Sequence, residues 1–422
     1  KGRSVGIQYY LDLWRLRFLG GTTNHWSGRC RPFEKVDFEE RNYEGLPGWP
    51  ISFDDIASYL PEAKEILGLP ASNTFKALPS TKIESNKFEA DKFYDSDPVR
   101  FGQKYYDLLA KSENIDLFLN ANVTDIQLYD DLQTVEAVIV RNYSGSTAKV
   151  RAKKFILCMG AIETARILLN SNSQVVEGIG NQTDMVGRCF MEHFNIDLGS
   201  FVADTKKWQD FSHMQFFSQP DYVLKNKLAM SSIAFGKMGS YEAYGRTAEL
   251  KKIFNDLSCR LGVSEHLQFI YKHKCLGEGV IGTICEQFPY KESRISLDSQ
   301  EDTLGLKRIK IDWKMSPANA SAIREIAIDM AKEYAKNDLG RVKLKSYIWN
   351  ANEPIPAGAH AHQMGTTRMA ESHEHGVVDQ NCRVFATKNL YVAGSGVFAS
   401  GGGGNPTMPI IQLTLRLASH LS

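Results

Sequence analysis

Lys154-Phe-Ile-Leu-Cys-Met-Gly160, followed at once by Ala161-Ile-Glu-Thr-Ala-Arg-Ile-Leu-Leu169, decides the fold class. The first part is an apolar run ending in glycine and reads as a strand. The second has the spacing and residue types of a helix. Strand, glycine, helix is the local grammar of a parallel-sheet, nucleotide-binding α/β domain.

Upstream, Asp116 to Ile126, Val135 to Val140 and Ala148 to Ala152 read as short strands joined by polar turns. Ser52-Phe-Asp-Asp starts a helix with acidic residues in its first turn, and Ile56 to Leu67 continues with helical apolar spacing. Residues 71–100, polar and rich in Ser, Lys and Asp, read as a surface excursion. Tyr9 to Phe18 is a helix or a strand-like connector into Gly20-Gly-Thr-Thr-Asn-His-Trp-Ser-Gly28. Downstream, residues 195–350 mix β-rich segments (Ile233–Phe235, Ser293–Leu297, Arg308–Trp313) with one clear helix, Ala318 to Tyr334. From Ala357 the chain returns to glycine loops, one apolar strand and a terminal helix, Ile410 to His420. The expected organisation is a nucleotide-binding domain over 1–194 and 351–422. An α+β substrate domain, 195–350, is inserted between them.

Fifty basic residues against forty-nine acidic ones leave no net field, which argues against nucleic acid or an anionic membrane as partner. There is no apolar run of transmembrane length. The seven cysteines are scattered without a CxxC motif, as expected of reduced, mostly buried thiols in a cytoplasmic protein. The opening Lys1-Gly-Arg-Ser has no initiator methionine, so a mature or incomplete chain is expected.

The chemistry-bearing residues gather near the end. His362 stands in His-Gln-Met-Gly-Thr-Thr-Arg-Met369 and Asn405 in Gly401-Gly-Gly-Gly-Asn-Pro-Thr407. A histidine and an asparagine, each on a glycine-rich loop, suit a reaction in which an alcohol is gripped and deprotonated. Tyr391-Val-Ala-Gly394-Ser-Gly396-Val-Phe-Ala399 imitates a dinucleotide fingerprint, but the chain ends before the helix, second strand and acidic residue that an NAD site needs. A tight turn at the mouth of a sheet is the better reading, and such a turn can still touch a cofactor. His360, His362, His373 and His375 form two HxH pairs without a recognisable ligand spacing, which disfavours a metal site. Gly2-Arg-Ser-Val-Gly6 matches GxSxG but lacks the strand that must precede a nucleophile elbow. His25, beside Trp26, is by itself most simply a packed core residue.

Taken together, these segments resemble the glucose–methanol–choline (GMC) family of flavin-dependent oxidoreductases, especially its bacterial sugar dehydrogenase and pyranose oxidase branches. The matching stretches are Leu19–Trp26, Phe155–Ala165, Val186-Gly-Arg-Cys-Phe-Met-Glu-His193, Ser293–Leu297, His362–Met369, Gly376–Asp379 and Asn389–Thr407. The family's opening GxGxxG segment has no counterpart before Gly20, so the expectation is a member without its first several dozen residues. The resemblance implies a Rossmann-like FAD-binding domain with an inserted substrate domain built on an antiparallel sheet. It places His362 on the catalytic histidine and Asn405 on the orienting residue. It places Gly20, Gly21, Thr22 and Asn24 against the flavin, Val123 and Gly160 near the adenosine half, and Gly394 and Ser395 at the pyrophosphate or ribityl chain. Pro406 and Thr407 fall at the isoalloxazine ring, and Ser27 falls where a hydroxyl faces flavin N5. His25 matches a covalent flavin attachment point, but Asn24 precedes it where those oxidases have threonine, so covalent and non-covalent FAD both stay open.

The implied reaction is oxidation of a CH–OH group of a sugar, glycoside or polyol, with oxygen or another electron acceptor. A non-sugar alcohol, a flavin-containing lyase and a non-catalytic binding protein are the alternatives. Oxidase and dehydrogenase remain equally open, as does assembly into a homo-oligomer.

Overall fold

The computed structural model describes residues 2–41, 43–69, 83–91, 93–204, 215–237, 257, 261, 263 and 276–422. At its centre β8 (Phe155–Leu157) and β16 (Leu390–Val392) pair in parallel, with Leu390 opposite Phe155 and Val392 opposite Leu157. Both strands run out into glycine turns, at Gly160 and Gly394. The helix Gly160–Asn170 buries Ile162, Ala165, Ile167 and Leu168. Beside it lies an antiparallel sheet of β5 (Asn122–Leu128), β6 (Val135–Arg141) and β7 (Thr147–Val150). Asn389 ties this sheet to β16, its side chain accepting from Val135 N–H and donating to Val135 and Lys153 carbonyls.

The second layer is a six-stranded sheet in the order β15 (Gly340–Leu344), β9 (His193–Asp204), β12 (Leu276–Glu286), β11 (Ser231–Lys237), β10 (Gln215–Ser218) and β3 (Phe88–Asp91), antiparallel throughout. Along β9 the buried apolar side chains are Phe194, Ile196 and Leu198, then Phe201 and Ala203. This change of parity coincides with a bulge, where the pairing with β12 slips between Ile281 and Gly282. The helix Pro317–Lys336 covers the sheet. Ser316 caps it by accepting from Asn319 N–H, and its buried Ile323, Ile326, Met330 and Tyr334 face the strands. Tyr334 stacks on Phe235 with ring centroids 5.0 Å apart. Each such side chain contributes about 1.5–3 kcal/mol by leaving water.

Several sequence expectations are corrected here. The described part of residues 71–100 is not a surface excursion, because Phe88 and Phe93 are buried and β3 is an edge of the six-stranded sheet; residues 71–82 and 92 lie outside the described residues. Tyr9 to Phe18 forms turns rather than a helix or strand, anchored by buried Tyr9 and Leu11. Ile56 to Leu67 is not one helix. It divides into Asp54–Ala57 and Leu60–Ile66, with Pro61 in the first turn of the second. A proline is tolerated there but not inside a continuous helix. The strand expected from Asp116 starts only at Asn122, and Phe118 is exposed. The GxSxG match is itself strand β1 (Gly2–Gly6), parallel to β14 (Lys307–Trp313), which pairs in turn with β13 (Arg294–Glu301). Among the described residues, a two-stranded ladder of β2 (Arg29–Cys30) and β4 (Tyr94–Asp95) completes the strands. Cys189, Cys285 and Cys382 are buried free thiols, Cys158 is an exposed one, Cys30 is buried, and Cys259 and Cys275 fall outside the described residues. Among the described residues, no helix is long and apolar enough to cross a membrane.

Candidate active site

The loop carrying His362 is laid against the turn after β16. Gly365, Thr367 and Met369 donate their N–H groups to Ser395, Gly396 and Val397 carbonyls at 3.0, 2.8 and 2.9 Å. The Thr366 hydroxyl donates to the Ala161 carbonyl at 2.6 Å, joining the start of the helix after β8 to the same assembly. Two neighbouring segments therefore meet a third, 205 residues from Thr366, outside the carboxyl ends of two parallel strands, where open α/β sheets hold ligands.

Gly394 sits at φ 131°, ψ 178°, a conformation essentially reserved for glycine, yet a Cβ built there would meet nothing within 4 Å. Gly160 (φ 73°) and Gly21 (φ 52°) also look into open space. Glycines kept bare without a neighbour to avoid leave backbone for a large group to approach, which fits a dinucleotide such as FAD. The Ser395 hydroxyl is not free for that role, since it donates to the Gln363 carbonyl at 2.6 Å. Val123, on β5, is half-buried.

The Gly20–Ser27 segment folds as a single 3-10 turn, Gly21–Asn24, with Gly20 left-handed before it. The Asn24 amide donates to Leu19 and Gly21 carbonyls, both at 2.9 Å, so its side chain braces its own loop. The Thr22 hydroxyl accepts from Leu16 N–H. His25 and Ser27 are exposed, so His25 is not the packed core histidine that its tryptophan neighbour suggested. That neighbour is held instead, with Trp26 Nε1 donating to the Val99 carbonyl.

At the other end, the Asn405 amide donates to the Arg29 carbonyl at 2.9 Å, tying the glycine run to the segment just after Ser27. Pro406 precedes the terminal helix Thr407–Leu421, and Thr407 opens its first turn. The run itself is close-packed. A Cβ on Gly402 (φ 65°) would lie 2.5 Å from the Phe33 ring.

His362 is half-buried and meets partners that the sequence alone did not assign. Its Nδ1 lies 2.7 Å from Nδ1 of His193, whose Nε2 lies 2.8 Å from the Gly402 carbonyl. Glu192 is fully buried, and its Oε1 accepts from His362 N–H at 2.5 Å and His193 N–H at 3.0 Å. Burial pushes the Glu192 carboxyl up to about 8 and holds His193 down to about 4. His362 is also held well below its ordinary value, first by burial and then by His193 and His360. The His360 ring stacks on it at 5.5 Å. An imidazole so placed is neutral at physiological pH and can accept a proton. The signal for Glu192 and His193 was present in Cys189-Phe-Met-Glu-His-Phe194: two polar residues inside an apolar run must find buried partners.

Comparison with known proteins agrees with this architecture. Residues 289–414 match the family model described as GMC oxidoreductase. The chain carries a GMC oxidoreductase domain over that stretch. The 2-methyl-1,2-propanediol dehydrogenase of Mycolicibacterium austroafricanum is 23% identical to it over 476 aligned residues, covering 96% of this chain and 80% of that protein. The fructose dehydrogenase large subunit of Gluconobacter japonicus is 22% identical, again over 96% of this chain and 80% of that one. Among solved structures, a formate oxidase of Aspergillus oryzae RIB40, studied for its FAD modification, superposes with a TM-score of 0.53 at 15% identity. The match covers 99% of this chain and 87% of that one, and it shows that the two share a fold.

Proposed function

We propose that this chain is a flavoenzyme of the GMC type that oxidises a CH–OH group of a sugar, glycoside or polyol to a carbonyl, with FAD as cofactor and His362 as the base. The observation that carries the reading is the docking of the His362 loop against the bare Gly394 turn. That docking supports the reading, because it ties the segment bearing His362 to a turn whose backbone is open to a dinucleotide.

Gly20, Gly21, Gly160 and Gly394 would hold the cofactor by backbone approach, with Val123 toward the adenosine and Pro406 and Thr407 toward the ring system. When bound, FAD supplies the acceptor for the carbinol hydrogen, which leaves as hydride. His362 takes the hydroxyl proton. Its shift below the ordinary histidine value keeps it unprotonated and available over the working range. Asn405, with one amide hydrogen used on Arg29, keeps its second N–H and its carbonyl for the substrate oxygen, a positioning role. Relatives named for 2-methyl-1,2-propanediol, fructose and C-glycosides support a polyhydroxylated substrate.

An anaerobic panel of 2-methyl-1,2-propanediol, D-fructose and a C-glycoside, followed by bleaching of flavin absorbance, tests the reading. Bleaching by at least one of them, abolished in His362→Ala, is the expected result. A His362→Ala variant with normal turnover would refute the assignment. Admitting oxygen afterwards separates oxidase from dehydrogenase, and acid precipitation of the protein shows whether His25 retains the flavin covalently.

A further inference from the structure

We infer that His193 is a positioning residue that fixes the tautomer of His362, so that the reactive lone pair resides on Nε2. This deepens the reading of His362 as base and rests on it.

The argument is one of donors and acceptors. A carbonyl oxygen only accepts, so the 2.8 Å contact between Gly402 O and His193 Nε2 requires the proton on Nε2. A neutral His193 then has a bare Nδ1. The 2.7 Å contact between the two Nδ1 atoms needs one proton between them, and His193 has none left to give. His362 must therefore donate Nδ1–H, which leaves its own Nε2 unprotonated. The opposite arrangement would set the His193 Nε2 lone pair against a carbonyl lone pair at 2.8 Å. A doubly protonated His193 would satisfy both contacts, but burial works against that charge.

The fixed partner is rigid. The Gly402 N–H donates to Glu286 Oε1 at 3.1 Å, and Glu286 is paired with Arg41. The two rings stand nearly perpendicular, at 86°, with centroids 4.9 Å apart. Other titratable or charged groups facing the pair are Glu192, His360 and the Glu286–Arg41 ion pair. After His362 Nε2 takes a proton, its Nδ1–H still donates to His193, so the support survives the reaction without a second transfer. A base of the wrong tautomer would present N–H to the substrate hydroxyl and could not accept its proton.

The test uses the FAD-loaded enzyme with isotope-labelled histidine and long-range proton–nitrogen correlation spectra. His362 should show a protonated Nδ1 and a bare Nε2, and His193 the reverse. His193→Leu should release this pattern and lower kcat by about 10–100-fold with KM little changed. His193→Asn, whose amide oxygen can still accept from His362, should recover most of the loss. A wild-type spectrum with protonated His362 Nε2 overturns the inference even if the variants do not fold. So does a His193→Leu enzyme with unchanged kcat and spectrum. His362→Ala keeps the two readings apart: if it is inactive while His193→Leu is normal, only the tautomer inference fails. If His362→Ala is active, the base reading itself falls.

Discussion

Arg41 and Glu286 form an ion pair with no solvent exposure of either side chain, Nη1 to Oε2 at 2.5 Å and Nη2 to Oε1 at 2.8 Å. The same carboxylate accepts the N–H of Met230 and of Gly402, so it anchors β11 and the glycine run that bears Asn405. Removing Arg41 leaves a buried charge without its partner. Arg41→Met should therefore lose about 3–5 kcal/mol of stability, read as a lower urea midpoint. The double variant Arg41→Met/Glu286→Leu should lose less than the sum of the single ones. Strict additivity would show that the pair is not coupled.

Stability should fall between pH 6.5 and 8. Burial raises Glu192 to about 8, so the folded chain keeps a proton that the unfolded chain, with an ordinary value near 4.5, has released. Stability therefore drops through that window, at about 1.4 kcal/mol per pH unit. Asp37, raised to about 7 by burial, adds the same sign at lower pH. His193, held near 4 against an ordinary 6.5, has the opposite sign, and its contribution is complete by pH 6.5. Urea midpoints of wild type should decline from pH 6.5 to 8, and Glu192→Gln should flatten the decline. Parallel curves for the two proteins would rule out Glu192 as the cause.

Arg368, fully buried, has no carboxylate partner in its hydrogen bonds among the described residues. Its guanidinium donates to the carbonyls of Pro47, Met369 and His375. A planar fork can reach several acceptors at once, and an ammonium cannot. Arg368→Lys should lower the thermal midpoint, corresponding to about 1–3 kcal/mol for orphaned carbonyls. An unchanged melting curve would contradict this.

Gly394→Ala and Gly160→Ala should reduce bound FAD without comparable loss of fold. At Gly394 the backbone lies in a region that costs an L-residue about 1–3 kcal/mol, and the new methyl would point into the cradle. The flavin-to-protein absorbance ratio of purified variants measures this. Full flavin content in both would show that the bare turns are not cofactor contacts.

What the sequence made legible was local. The strand, glycine and helix of 154–169 were readable because both elements and their junction are contiguous, and the capped helix Pro317–Lys336 was equally plain. The β3 edge was hidden because one buried aromatic, Phe88, in a polar stretch carries no period; its pairing with β10 is a long-range choice. The division of 54–66 was signalled by Pro61 but masked by the apolar spacing around it. In the site, His362 and Asn405 stood out through their glycine loops. Their supports did not: His193 is 169 residues from His362, and nothing local says which of its nitrogens meets what. Asn24 and Ser395 were legible as loop residues, but the carbonyls that occupy their side chains were not.

Among the described residues, strand β1 finds its only strand neighbour, β14, roughly three hundred residues downstream. At about 5–20 residues per second of synthesis, that partner leaves the ribosome some tens of seconds after β1 does. Residues 2–6 are thus made before, and locked after, most of what lies between them. The β1–β14 ladder should be among the last pieces to gain protection in a pulse-labelled nascent chain, and a chaperone that shields early segments should raise the yield of assembled protein.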